Sequence, residues 1–124
     1  MKDVHLSNGE WKLMNLLWEK SPLTIGEMVE LCEDDTGWKK STIFMMLKRM
    51  KEKGAVRVDT SGKRQLYYPC VQHEKKAIKE TKSFLERVYD GKIGMMVSSM
   101  AGQKALSKED IDELYDILKK LRDE

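Results

Sequence analysis

The chain has 124 residues, 40% of them hydrophobic and 35% charged, with a formal net charge of +2. That suffices for one ordinary domain, or for a small domain with an appended helical module. No apolar run approaches the roughly 18–20 residues of a membrane span, which argues against membrane insertion, and the opening MKDVHLSNGE has no signal-peptide core, so a cytoplasmic location is expected.

Helix starts are legible from the N-terminus onward. Ser7-Asn8-Gly9-Glu10 is a capping box, with Leu6 and Trp11 placed as a hydrophobic staple. Trp11, Met14, Leu17 and Trp18 recur at helical spacing and predict a first helix to about Lys20, where Ser21-Pro22 breaks it. Thr24-Ile25-Gly26-Glu27 repeats the box, with Leu23 and Met28 as its staple. A second helix is expected from there through Leu31 and Cys32 to Glu33-Asp34-Asp35. Three acids at a helix C-terminus oppose its macrodipole, so they either serve a contact elsewhere or are screened by solvent. After Gly37 a third helix is expected over about 40–53, ended by Gly54 at the C′ position. Its core stripe is Ile43, Met46, Leu47 and Met50, and its opposite face carries Ser41, Phe44, Met45 and Lys48, flanked by Thr42 and Arg49. Residues 55–59 alternate as a strand, Thr60-Ser61-Gly62 forms the turn, and residues 64–68 return as a second strand before Pro69. The fold predicted is mainly α with a small β-hairpin wing: a winged helix-turn-helix domain over about residues 1–71.

The remainder, about residues 72–124, reads as a helical dimerisation module. A helix over about 74–89 places Ile78, Thr81, Leu85 and Val88 on one face and stops at Gly91. A short Met-rich segment follows over 93–100. Ser107-Lys108-Glu109-Asp110 approximates a third capping box, with Leu106 and Ile111 as the staple pair. The last helix shows Ile111, Leu114, Tyr115, Leu118 and Leu121, a stripe too apolar for a helix without a large core of its own. Burial against the same element of a second chain is the simplest expectation; packing on the N-terminal domain is the alternative.

Charge is concentrated rather than spread. Residues 38–68 carry nine basic side chains against two acids, whereas residues 1–37 carry three against eight. A basic helix followed by a basic hairpin is the footprint of a DNA-binding surface. The third helix is the one that would enter the major groove, with Ser41, Thr42, Phe44, Met45 and Lys48 as base-reading candidates. Phe44 and Met45 suit thymine methyl groups, unless they pack against the first or second helix instead. Lys39, Lys40, Arg49, Lys51 and Lys53 are candidates for phosphate contacts, as are Lys63 and Arg64 at the hairpin tip. Catalysis has little support: His5 and His73 sit in no nucleophile or metal-ligand pattern, and no Gly-rich phosphate loop is present. No metal or cofactor is expected, and Cys32 and Cys70 read as reduced, buried thiols. Met95, Met96 and Met100 suit flexible core packing better than a ligand site.

The residues also resemble a known family. Glu10-Trp11-Lys12-Leu13-Met14 with Leu17-Trp18, Thr36-Gly37-Trp38, Ser41-Thr42-Ile43 with Met46-Leu47-Lys48-Arg49, and Lys53-Gly54-Ala55 are similar to the penicillinase-repressor (BlaI/MecI) family. So are Tyr67-Tyr68-Pro69, Ser83-Phe84-Leu85 with Tyr89-Asp90-Gly91, and Leu106-Ser107 through Asp110-Ile111 and Glu113-Leu114-Tyr115. The resemblance implies a homodimeric repressor on a palindromic operator of TACA and TGTA repeats, controlling β-lactam-response or related genes. It also implies relief by a membrane sensor protease that cuts the C-terminal module; the matching position here is Ser99-Met100, where characterised members carry Asn-Phe. Where relatives often open the recognition helix with Ser-Pro, this chain has Lys39-Lys40. It also lacks the C-terminal Cys-x-Cys pair of copper-responsive relatives. The competing expectation from another class is a winged-helix interaction module whose basic face meets an acidic protein.

Overall fold

The computed structural model describes residues 4–124, so the first three residues of the opening stretch lie outside the described residues. Six helices and one hairpin follow in the order α1 (Asn8–Glu19), α2 (Ile25–Cys32), α3 (Lys40–Glu52), β1 (Val56–Asp59), β2 (Leu66–Pro69), α4 (His73–Tyr89), α5 (Ile93–Gly102) and α6 (Lys108–Arg122). They form two compact units, one ending at Lys76 and one beginning at Ala77. That division falls inside α4, past the composition shift near residue 71. The first turn of α4 belongs with the N-terminal unit because His73 meets the Trp18 ring edge-on at 4.8 Å and the Lys76 ammonium donates to the Val4 carbonyl.

All three capping boxes form. The Ser7 N–H donates to Glu10 Oε1 at 2.9 Å while the Glu10 N–H donates to Ser7 Oγ at 3.2 Å, and Thr24 with Glu27 and Ser107 with Asp110 repeat the exchange. Each pair satisfies two of the backbone donors that a helix N-terminus leaves open. Helix α1 buries Leu13, Met14 and Leu17, and the tryptophans sit at the margin of that stripe rather than within it. At 100° per residue, Trp11 and Trp18 fall about a quarter-turn from the buried line. There their rings meet each other at 5.7 Å, and the Trp18 indole N–H donates to the Val71 carbonyl at 2.9 Å.

Helix α2 stops at Cys32, earlier than the acidic run, because Thr36 and Gly37 both donate their N–H to the Cys32 carbonyl and turn the chain, with Gly37 at φ +63°. The acids therefore lie in the turn, and Asp35 forms an ion pair with Lys12 of α1. Helix α3 buries the expected Ile43, Met46, Leu47 and Met50. It ends in a Schellman motif: Gly54, at φ +83°, donates to Lys51, and Ala55 donates to Met50.

Strands β1 and β2 pair antiparallel, with Val58 opposite Tyr67 and Asp59 opposite Leu66. The second strand starts at Leu66, two residues later than the alternation suggests. The Asp59 carboxylate accepts from both the N–H and the hydroxyl of Ser61, at 2.9 and 2.6 Å, and this side-chain turn opens the loop before residues 64 and 65 can pair. One further pairing comes from outside the hairpin: Leu23 and Tyr67 exchange both backbone hydrogen bonds, at 3.2 and 2.9 Å. The wing is thereby anchored to the turn between α1 and α2. The core runs from Leu6 to Tyr67, and each fully buried Leu or Met in it contributes about 1.5–3 kcal/mol. Cys32 belongs to that core, but Cys70 is exposed, a correction to the expectation of two buried thiols; it follows Pro69, past the last paired residue.

The second unit is built differently. Helices α4, α5 and α6 bury no residue at all. Asp90 and Gly91 adopt positive φ between α4 and α5, at 53° and 79°, and it is this backbone conformation that favours glycine at position 91.

Candidate nucleic-acid interface

Helix α3 divides cleanly. With one stripe committed to the core, Ser41, Thr42, Phe44, Met45, Lys48 and Arg49 are all exposed. Phe44 and Met45 are 45% and 53% exposed, so they do not pack into α1 or α2. An apolar pair left in water on a helix lined by cations is the feature that most needs a partner. The N-terminus of α3 adds to the field: Lys39 occupies the N-cap position with no side-chain cap, so first-turn N–H groups stay open beside Lys39 and Lys40. Open donors, the positive end of the helix dipole and two ammonium groups together favour a phosphate.

The nine cations of residues 38–68 are not equivalent. Lys39, Lys40, Lys48, Arg49 and Lys51 along α3, and Lys63 and Arg64 in the loop 60–65, are exposed and form no ion pair among the described residues. Lys53 is a correction. Its ammonium donates to Glu10 Oε1 at 2.5 Å and to the His5 carbonyl at 2.9 Å, so it is occupied inside the fold rather than offered to DNA. Glu10 is only 1% exposed, and its second oxygen has no hydrogen-bond partner among the described residues. Burial would raise this carboxyl, but the Lys53 ammonium and the bonds from Ser7 outweigh it and hold the group below the ordinary glutamate range. Arg57 is also engaged: its guanidinium lies 3.9 Å from the centre of the Tyr68 ring, directly across the hairpin. At the end of β1, Asp59 is held below its usual range by the Ser61 hydroxyl and N–H, at the base of the loop that carries Lys63 and Arg64.

Neither the Glu10–Lys53 pair nor the Arg57–Tyr68 stack was legible from spacing, since the first joins residues 43 positions apart and the second needs the strand register. A recess between α3 and the wing was equally hidden. Among the described residues no group of three or more His, Cys, Asp or Glu side chains is arranged to hold a metal ion. No helix among them is long and apolar enough to cross a membrane.

In the second unit, most of the expected interface residues lie open. Ile78, Val88, Ile111, Leu114, Tyr115, Leu118 and Leu121 are exposed, Tyr115 at 71% and Leu118 at 62%, and Leu85 is half-buried. Ser99 and Met100 are exposed and lie within α5, so the short Met-rich segment is a regular helix.

Comparison with known proteins gives a consistent picture. A family profile described as "Penicillinase repressor" matches residues 6–120. The methicillin resistance regulatory protein MecI of Staphylococcus aureus is 29% identical over 119 residues, spanning 96% of this chain and 97% of that protein. The penicillinase repressor of Bacillus licheniformis is 31% identical over 119 residues, spanning 95% and 93%. Among solved structures, the DNA-binding domain of the repressor BlaI superimposes with a TM-score of 0.52 at 27% identity, over 59% of this chain and 90% of that one. The monomeric form of Bacillus licheniformis BlaI in complex with the blaP half-operator gives the same score and identity over 60% and 92%.

Proposed function

The chain belongs to the penicillinase repressor family of DNA-binding transcriptional repressors, and on that premise we propose that it acts as a homodimer on a palindromic operator. The observation that carries this reading is the outward face of α3, where Phe44 and Met45 stand exposed among unpaired cations. Ser41, Thr42, Phe44, Met45 and Lys48 read base edges, the two apolar side chains against thymine methyl groups. Lys39, Lys40, Arg49 and Lys51 hold phosphates on the recognition-helix side, and Lys63 and Arg64 do so from the wing. TACA/TGTA-like inverted repeats are the operator type that fits thymine-directed readers. The two half-sites lie about one helical turn, or a simple multiple of it, apart.

The exposed stripes of α4 and α6 support the dimer. They leave Ile78, Val88, Leu114, Tyr115, Leu118 and Leu121 in water unless a second copy covers them. The regulated genes belong to a β-lactam response or a related one, in keeping with the names of the relatives. Relief comes through a cut in the C-terminal module by a sensor protease, at the Ser99-Met100 position. Because that bond lies within α5, the helix has to open locally before a protease can seat it.

The test is selection of bound duplexes from a random library at two salt concentrations, with sequencing of the retained pool. Enrichment of an inverted repeat, with affinity falling steeply as salt rises, is the expected result. Retention without enrichment would overturn the operator reading and favour an interaction module that meets an acidic protein.

A further inference from the structure

We infer that the recess between α3 and the wing is a binding site for a small aromatic carboxylate, and that such a ligand competes with duplex DNA; the second half rests on the function proposed above, the first does not. The recess has a volume of about 230 Å³. Leu47 and Tyr67, both buried, and the half-buried Val58 form its inner wall, and Phe44 lines it from α3. Lys48 and Lys51, one helical turn apart, stand over this mainly apolar hollow with no ion pair among the described residues.

Size, lining and charge converge on one class of ligand. An apolar cavity of about 150 Å³ admits benzene, so this one has room for a ring with a carboxyl-sized substituent. The ring lies against Phe44, Leu47, Val58 and Tyr67, displacing water from apolar surface. The Tyr67 hydroxyl is already bonded to Gln65 Oε1 at 3.3 Å, which leaves the ring as that residue's contribution. The carboxylate takes the unpaired ammonium groups of Lys48 and Lys51. A hydrated sugar-phosphate strand satisfies the two lysines but not the apolar wall. Occupation also engages Phe44 and Lys48, two of the residues assigned to base reading, so ligand and operator exclude each other.

The experiment titrates the ¹⁵N-labelled full chain with benzoate, alongside acetate as a ringless anion and benzyl alcohol as an uncharged ring. For a ligand of this size a Kd on the order of millimolar is expected, with amide shifts clustered at Leu47, Val58 and Tyr67 and much weaker responses to either control. At ten times that Kd, benzoate raises the apparent Kd of one protomer for a duplex half-site about tenfold over equimolar acetate, which corrects for ionic strength. Val58→Phe fills the recess and is expected to abolish the shifts while leaving duplex binding in place. Should that variant not fold, nuclear Overhauser contacts from benzoate to the Leu47 and Val58 methyl groups of the wild type decide the site. Shifts that are absent, that cluster elsewhere, or that acetate reproduces overturn the assignment. The titration needs no DNA, so its result stands apart from the operator reading; site-specific shifts without displacement overturn the competition alone.

Discussion

At the scale of single residues, the cations of the basic segment separate into those that hold the fold and those that face outward, and neighbouring lysines fall on opposite sides of that line. Lys53 neutralises a carboxylate that is almost wholly inside the protein, whereas Arg49, one helical turn earlier, forms no ion pair among the described residues. Lys53→Met is expected to destabilise by about 2–3 kcal/mol, less than the full cost of breaking a buried pair because its side chain remains 35% exposed. The salt dependence of duplex binding should be unchanged in that variant. Arg49→Ala should do the reverse, lowering the salt slope by about one with little loss of stability. Urea unfolding and salt titration on both variants check the contrast, and a reduced slope for Lys53→Met would return it to the phosphate contacts. The same pair makes stability depend on pH. Glu10 is depressed on folding, so its contribution is present above the ordinary value of 4.5 and is lost as pH falls through the lower folded value. Glu10→Gln should therefore flatten the stability decline below about pH 4.5, and identical pH profiles for variant and wild type would refute this. For the readers, Phe44→Ala and Met45→Ala should cost about 1–3 kcal/mol on the selected operator and little on random duplex. Equal loss on both would remove their sequence-reading role.

At the scale of elements, helix α3 carries charge rather than a cap at its first turn. Lys39 supplies no cap, so Lys39→Ser should stabilise the protein by about 1 kcal/mol while weakening duplex binding through the lost cation. Denaturation midpoints and anisotropy titrations on the one variant measure both effects, and a gain in both would dissociate Lys39 from DNA. The elements that announced themselves in the sequence are those whose determinants lie within four residues: the boxes at Ser7, Thr24 and Ser107, the glycine stop at Gly54, and the stripe from Ile43 to Met50. Those that did not are decided across the chain. The Leu23–Tyr67 rung is a lone residue borrowed as a strand, and no alternation marks it. The wing loop grew because the Asp59 side chain, not the backbone, chose the turn. The candidate site was legible to the extent that one exposed helix face defines it: Phe44, Met45 and Lys48 follow from period alone, while the occupation of Lys53 and Arg57 required tertiary partners.

At the scale of the whole molecule, the two units differ in self-sufficiency. The first has a continuous core from Leu6 to Tyr67; the second has a glycine-stopped α4, a capped α6, an uncapped α5 between them, and nothing buried. Leu118→Asp places a charge in the α6 stripe and is expected to convert the proposed dimer to monomer, with operator affinity falling in step. Sedimentation of an unchanged dimer would move the interface away from α6. A module that cannot bury its own apolar surface would, where it pairs with a second copy, make gene dosage part of the switch. If only paired copies occupy both half-sites, operator occupancy in dilute protein rises with the square of the amount present, so halving the cellular supply cuts it about fourfold. Once synthesis stops, growth and division would then loosen repression more than proportionally as soon as the operator is no longer saturated.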